Sequence, residues 1–130
     1  MADDLFNAAR AVMANAHAPY SGFPVGAALR SASGVIYVGC NVENASYPEG
    51  LCAETSAIAA MVAAGESAVA EIAVVAQRMP QITPCGGCRQ RLAEFAGPDA
   101  KVHLCDAAGI AQTVTLGELL PKAFAMETRS

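Results

Sequence analysis

The sequence predicts an α/β fold: a three-layer α-β-α sandwich around one mixed sheet of about five strands. Three observations point there. Short β-like apolar runs alternate with helix-like segments through the second half of the chain, and strands separated by helices usually lie parallel. An early pair of strands flanks Ser33-Gly34, a hairpin turn, so part of the sheet is antiparallel. The chain has 130 residues, 54% hydrophobic and only 15% charged, which suits one compact domain over 1–130 and argues against disorder. Much of the apolar fraction is alanine, so close packing rather than bulk should fill the core.

The elements follow in order. Asp3 and Asp4 can cap a first helix in which Leu5, Ala8, Ala9, Val12 and Ala16 recur at helical spacing. His17 to Pro24 holds two prolines and a glycine and reads as a loop. Val25 to Arg30 and Val35 to Val38 read as the hairpin strands, and Cys40 to Leu51 as a polar loop. Cys52 to Ala64 reads as a buried helix closed by Gly65, and Ile72 to Gln77 as a strand. Thr83-Pro84 opens a helix over Cys85 to Phe95. Lys101 to Cys105 and Ile110 to Val114 are strands separated by Gly109, and Thr115 caps a short last helix ending near Pro121.

Charge and cysteine usage narrow the function classes. Eight basic against twelve acidic residues leave a net charge of -4, the wrong sign for a polynucleotide partner, whose phosphates need a basic track. No apolar run approaches the roughly 20 residues that cross a bilayer, so no membrane role is expected. The start, MADDLF, carries two acids where a secretory signal carries bases, and a cytoplasmic location is expected. There five cysteines stay reduced, and their odd number fits a disulfide framework poorly. Metal binding or catalysis is the better use for some of them.

The chemistry concentrates in Cys52-Ala53-Glu54 and Pro84-Cys85-Gly86-Gly87-Cys88. Cys85 and Cys88 are three apart at a helix start, where they share a face and free backbone N–H groups favour thiolates. A CxxC alone also serves redox dithiols and structural zinc ribbons. Cys52 and Glu54 are two apart and converge only if they stand where a helix begins, as Pro48-Glu49-Gly50 suggests. Three cysteines around one zinc leave a fourth position for water, the catalytic arrangement; Cys40, Cys105, His17 and His103 are the candidates that would close it into a structural site.

These residues resemble the motif of the zinc-dependent nucleoside and nucleobase deaminases, which combine three zinc ligands with a non-ligating Glu. With cysteine as first ligand in so short a chain, the sequence closely resembles the small homotetrameric cytidine deaminases. Tyr20-Ser21-Gly22-Phe23-Pro24-Val25-Gly26-Ala27-Ala28, Gly39 to Pro48, Cys85 to Gln90 and Leu119-Leu120-Pro121…Phe124 carry the resemblance along essentially the whole chain.

The resemblance implies one zinc per subunit held by Cys52, Cys85 and Cys88. It implies hydrolysis of cytidine and deoxycytidine to uridine and deoxyuridine with loss of ammonia, a step of pyrimidine salvage. A water activated by zinc attacks C4 while Glu54 shuttles protons. It further implies that Asn41 and Glu43 hold the ribose 3′-hydroxyl, that Phe23 packs on the pyrimidine, and that the Ala53 N–H meets the base carbonyl. Ala45 and Tyr47 occupy substrate-contact positions, with Tyr20 a weaker one, and Phe124 reaches into a neighbouring subunit of a homotetramer with shared sites. One position departs from the pattern: the family commonly has Arg directly after the Glu, and here Thr55 stands there. Arg89, next to Cys88, is expected to take over the charge compensation at the zinc site.

Three alternatives stay open on the sequence. The same chemistry could act on a nucleoside-like antibiotic, although the intact Asn41/Glu43 pair favours a true nucleoside. The chain could be a non-catalytic zinc module, or a polynucleotide-editing deaminase whose oligomer assembles a basic groove.

Overall fold

The computed structural model describes residues 2–127. Helix α1 spans Ala2–Met13, with Asp3 and Asp4 in its first turn, where their charges complement the helix dipole. It stops three residues before Ala16. The chain must turn early because His17 joins the segment after the hairpin: its N–H donates to Asn41 O at 3.0 Å and its O accepts from Glu43 N at 2.8 Å. That contact joins residues 24 to 26 positions apart, so no local pattern announces it.

Strands β1 (Val25–Ser31) and β2 (Ile36–Cys40) form the expected antiparallel hairpin. A single 3-10 turn, Tyr47–Glu49, leads into α2 (Ala53–Ala63). Gly65, at φ +94°, ends that helix in the left-handed conformation, with its N–H on Val62 O and Glu66 N–H on Met61 O. Strand β3 (Val69–Ala76) begins three residues before its apolar run, because Val69 still pairs with Ser31 across a register shift in β1. Helix α3 (Gly86–Phe95), β4 (Lys101–Asp106) and β5 (Gly109–Thr115) follow. A short α4 (Leu116–Leu119) starts with a reciprocal capping box between Thr115 and Glu118.

The sheet order is β2-β1-β3-β4-β5. Only β3 and β4, joined through α3, are parallel; the other neighbours are antiparallel. Alternate residues of the central strands feed two cores. Ala27, Leu29, Ile72, Val74, Val102 and Leu104 pack against Ala57, Ile58 and Met61 of α2 and Leu92 of α3. Ala28, Ala73, Val75 and Cys105 pack against Leu5, Phe6 and Ala9 of α1. Truncating a fully buried side chain such as Met61 to Ala should cost about 2–5 kcal/mol.

Two glycines set the spacing of these layers. A Cβ on Gly26 would lie 2.0 Å from Ala9 O in α1, and one on Gly39 would lie 2.3 Å from Ala57 N and 2.5 Å from Ala53 O in α2. The helices therefore rest on bare backbone. On the α1 side a polar chain crosses the sheet: Asp4 to Arg30 (2.5 Å), Arg30 Nε to Glu71 (3.0 Å), Glu71 to His103 Nε2 (2.7 Å) and His103 Nδ1 to Thr113 (2.8 Å). Burial works against the Glu71 charge, but the His103 and Arg30 bonds outweigh it and hold the carboxyl below the usual carboxylate range.

Candidate metal centre and active site

Two helix starts meet on the α2–α3 side of the sheet. Cys52 is the N-cap of α2 and Cys85 the N-cap of α3, both with extended backbone, and Cys88 sits in the first turn of α3. Neither cysteine side chain caps its helix. The three Sγ atoms lie within 4.8 Å of one another, and those of Cys52 and Cys85 are 3.8 Å apart. Sulfurs at about 2.3 Å from one tetrahedral zinc would be separated by about 3.8 Å, so the donor set and spacing fit that ion. Among the described residues, Cys40, Cys105, His17 and His103 do not join this group.

The electrostatics point the same way. A hydrogen bond from the Cys88 thiol holds Cys52 below the usual thiol range, while that contact, followed by burial, pushes Cys88 up. Metal ligation needs these sulfurs as thiolates, so a divalent ion bound among them would displace their protons.

Cys52 precedes the helix and Glu54 lies inside its first turn, which is how residues two apart come to face one region. Glu54 is buried, 4% exposed, and burial pushes its carboxyl above the usual range; its own backbone N–H, the Cys88 thiol and Arg91 oppose that shift. Ala53 is also buried, and its N–H is among the first four of α2, which have no intrahelical acceptor.

A cavity of about 580 Å³ opens above these residues, within the usual size range of small-molecule sites. Cys52, Ala53, Glu54 and Cys85 line it, as do Asn41, Glu43, Tyr47 and Tyr20. Asn41 and Glu43 also organise the loop before β1. Asn41 Oδ1 accepts from Val25 N and its Nδ2 donates to Phe23 O, both at 2.9 Å. Glu43 Oε1 accepts from Tyr20 N (2.9 Å) and Ser21 N (3.1 Å), and its Oε2 accepts from the Ser21 hydroxyl. The Ser21 bond, more than the two backbone ones, keeps the Glu43 carboxyl below the usual range despite some desolvation. Each side chain retains capacity for one more partner, an N–H on Asn41 and lone pairs on Glu43 Oε2.

Other expected residues stand elsewhere. Phe23 is half-buried, Ala45 is exposed, and neither is among the residues lining the cavity. Phe124 is 70% exposed; its carbonyl accepts from Gln90 Nε2 at 3.0 Å, and its ring does not reach the cavity of its own chain.

Arg89 departs from the expected geometry. Its Nε donates to Pro84 O at 2.8 Å and its Nη1 to Leu119 O at 2.9 Å, so main-chain carbonyls, not sulfurs, hold the guanidinium. The arginine beside the cysteines is Arg91, and Thr55 Oγ1 lies 3.7 Å from Cys88 Sγ. Sequence reasoning alone gives neither Ser21 nor Arg91 a role of its own. The Cys88–Arg91 spacing of three, one helix face, is the available signal for Arg91; for Ser21 it is its place in the Tyr20 to Ala28 segment that carries the family resemblance.

Comparison with known proteins agrees with this geometry. Residues 1–104 match the family model described as the cytidine and deoxycytidylate deaminase zinc-binding region. A cytidine deaminase from Sporosarcina psychrophila is 44% identical over 115 residues, covering 88% of this chain and 85% of that protein. One from Halalkalibacterium halodurans is 46% identical over 112 residues, covering 86% and 85%. The crystal structure of cytidine deaminase from Burkholderia pseudomallei superposes with a TM-score of 0.88 at 45% identity, covering 93% of this chain and 97% of that one. The shared mixed sheet, the three clustered sulfurs and these matches together make this chain a member of the cytidine and deoxycytidylate deaminase family.

Proposed function

We propose that this chain is a zinc-dependent cytidine deaminase. It hydrolyses free cytidine and deoxycytidine to uridine and deoxyuridine, consuming one water and releasing one ammonia. The observation that carries the reading is a buried carboxylate, Glu54, at the floor of a nucleoside-sized cavity beside three sulfurs grouped tightly enough for one zinc.

Held by Cys52, Cys85 and Cys88, zinc would supply the Lewis acid that makes a water nucleophilic near neutral pH. Glu54 removes a proton from the attacking water and delivers it to N3 of the base, which makes C4 electrophilic. It then takes the second proton of that water from the new C4 hydroxyl and passes it to the departing amine, leaving the C4 carbonyl of uridine and free ammonia. One carboxyl serves both as base and as acid only if its pKa stands near the working pH, and burial moves Glu54 in that direction. The N–H of Ala53 donates to the base carbonyl.

Asn41 and Glu43 hold the ribose 3′-hydroxyl with the bonding capacity that the loop leaves them. Tyr47 closes the cavity rim, its ring centroid 6.3 Å from that of Tyr20. Phe23 packs on the pyrimidine and Ala45 contacts substrate once the loops close. Phe124, exposed on its own chain, enters the site of a neighbouring subunit in a homotetramer, so each active site is shared. The enzyme works in the cytoplasm; among the described residues no helix is long and apolar enough to cross a membrane.

The test is direct. Purified protein incubated with cytidine should lose the ultraviolet absorbance of cytosine and release ammonia in equal amount. Cytidine that persists unchanged with zinc-loaded protein would reject the reading. A free cytidine and a cytosine-containing oligonucleotide offered together should yield only deaminated nucleoside. Diluting the oligomer should abolish activity as it dissociates, whereas full activity in monomers would remove Phe124 from the site.

A further inference from the structure

We propose that Arg91, seated over Gly87, is the charge-compensating partner of the metal-binding sulfurs in this chain, in the role that an arginine at position 55 could otherwise fill. The inference rests on the reading of Cys52, Cys85 and Cys88 as zinc ligands. Three thiolates around a divalent ion carry a formal charge of minus one, and Glu54 lies beside them. A cation at that place would offset this charge, and Thr55 is not one.

Three observations assign the role to Arg91. Its Nη1 points to Cys88 Sγ at 3.9 Å. Cys88 and Arg91 are three apart on α3 and so share a face, which aims the guanidinium back at the helix start. Gly87 leaves the room: a Cβ there would stand 3.1 Å from Nη1, 3.7 Å from Cζ and 3.9 Å from Nη2 of Arg91. The other nearby arginine is engaged elsewhere, since Arg89 bonds the carbonyls of Pro84 and Leu119. Thr55 approaches the same sulfur from α2, with Oγ1 at 3.7 Å. Positions 55 and 91 therefore flank Cys88 from two helices, and one arginine at either place would face it.

A guanidinium is charged at every relevant pH, so the effect is not a titration. A hydrogen bond to a thiolate steadies the sulfur's orientation and draws charge from it, which tunes both metal affinity and the metal's acidity. Arg91 acts through Cys88 and is a positioning residue. It is itself exposed to solvent, which limits the effect to the lower end of the range for such partners.

Zinc affinity, measured by chelator competition on the loaded oligomer, tests this apart from turnover. Arg91→Leu should bind zinc about tenfold more weakly than the parent. Arg91→Lys, which keeps the charge, should recover most of that loss, and Thr55→Arg added to Arg91→Leu should recover it from the other helix. Gly87→Ala, which crowds the guanidinium, should fall between parent and Arg91→Leu. A loss that neither Arg91→Lys nor Thr55→Arg repairs would mark Arg91 as a packing residue and overturn the proposal, as would parent affinity in Arg91→Leu. A parent protein that binds no zinc would instead remove the metal site itself.

Discussion

Replacing Gly39 by Ala should damage the active site from the far side of α2. Gly39 lies in β2, away from the cavity lining, and is one place where sheet and helix touch through backbone alone. The new Cβ would sit 2.3 Å from Ala57 N and 2.5 Å from Ala53 O. Ordinary contact needs about 3.5 Å, so the start of α2 must retreat by roughly 1 Å. Backbone on both sides leaves no flexible side chain to yield. Overpacking of this kind costs about 1–3 kcal/mol, which for a domain of this size lowers Tm by roughly 3–12 °C. The same movement carries Cys52, Ala53 and Glu54 away from the α3 cysteines, and a displacement near 1 Å can cost about a hundredfold in rate. Thermal melting and the kcat/KM for cytidine would both be read, with Gly97→Ala, whose Cβ meets nothing within 4 Å, as the control. A Gly39→Ala protein with parental Tm and kcat/KM would refute the reasoning about close approach.

Further outcomes follow from other parts of the structure. Glu54→Gln should keep zinc at the parental stoichiometry yet lose about 10²–10⁴ in kcat; a variant that still turns over would deny Glu54 the proton-transfer role. Asn41→Ala removes both bonds to the loop before β1 and leaves Val25 N and Phe23 O to find water, so stability should fall by about 1–3 kcal/mol and KM should rise; an unchanged urea midpoint would count against that clamp. The depressed Glu71 carboxyl adds stability that is complete above its ordinary pKa of 4.5 and disappears as pH falls through its lower folded value. Urea midpoints should therefore drop more steeply below about pH 4.5 in the parent than in Glu71→Gln, and equal slopes would contradict the assignment.

Much of this arrangement is legible in local sequence. Cys85 and Cys88 announce themselves by spacing, and Pro48-Glu49-Gly50 marks the place where Cys52 and Glu54 can converge. The Ser33-Gly34 hairpin and the Gly65 stop depend on turn chemistry that neighbouring residues specify. What the sequence hides is contact across long separations. The bridge of His17 to residues 41–43 ends α1 early, and Val69 is recruited to β3 by Ser31. Within the site, adjacency to Cys88 points to Arg89. A helix, however, sends adjacent side chains apart by about 100°, and it is the residue one turn on that faces the sulfur. The family resemblance implies a sugar-binding role for Asn41 and Glu43; that they also bind the loop before β1 depends on how residues 20–25 fold back, which spacing alone does not encode.

The most direct measurement is zinc-edge X-ray absorption on the purified, zinc-loaded protein, which counts the metal's neighbours. The predicted spectrum shows three sulfur scatterers at about 2.3 Å and one lighter neighbour that exchanges with solvent or ligand. Four sulfurs, or a fourth protein side chain unmoved by cytidine, would describe a closed structural site and contradict the deaminase reading.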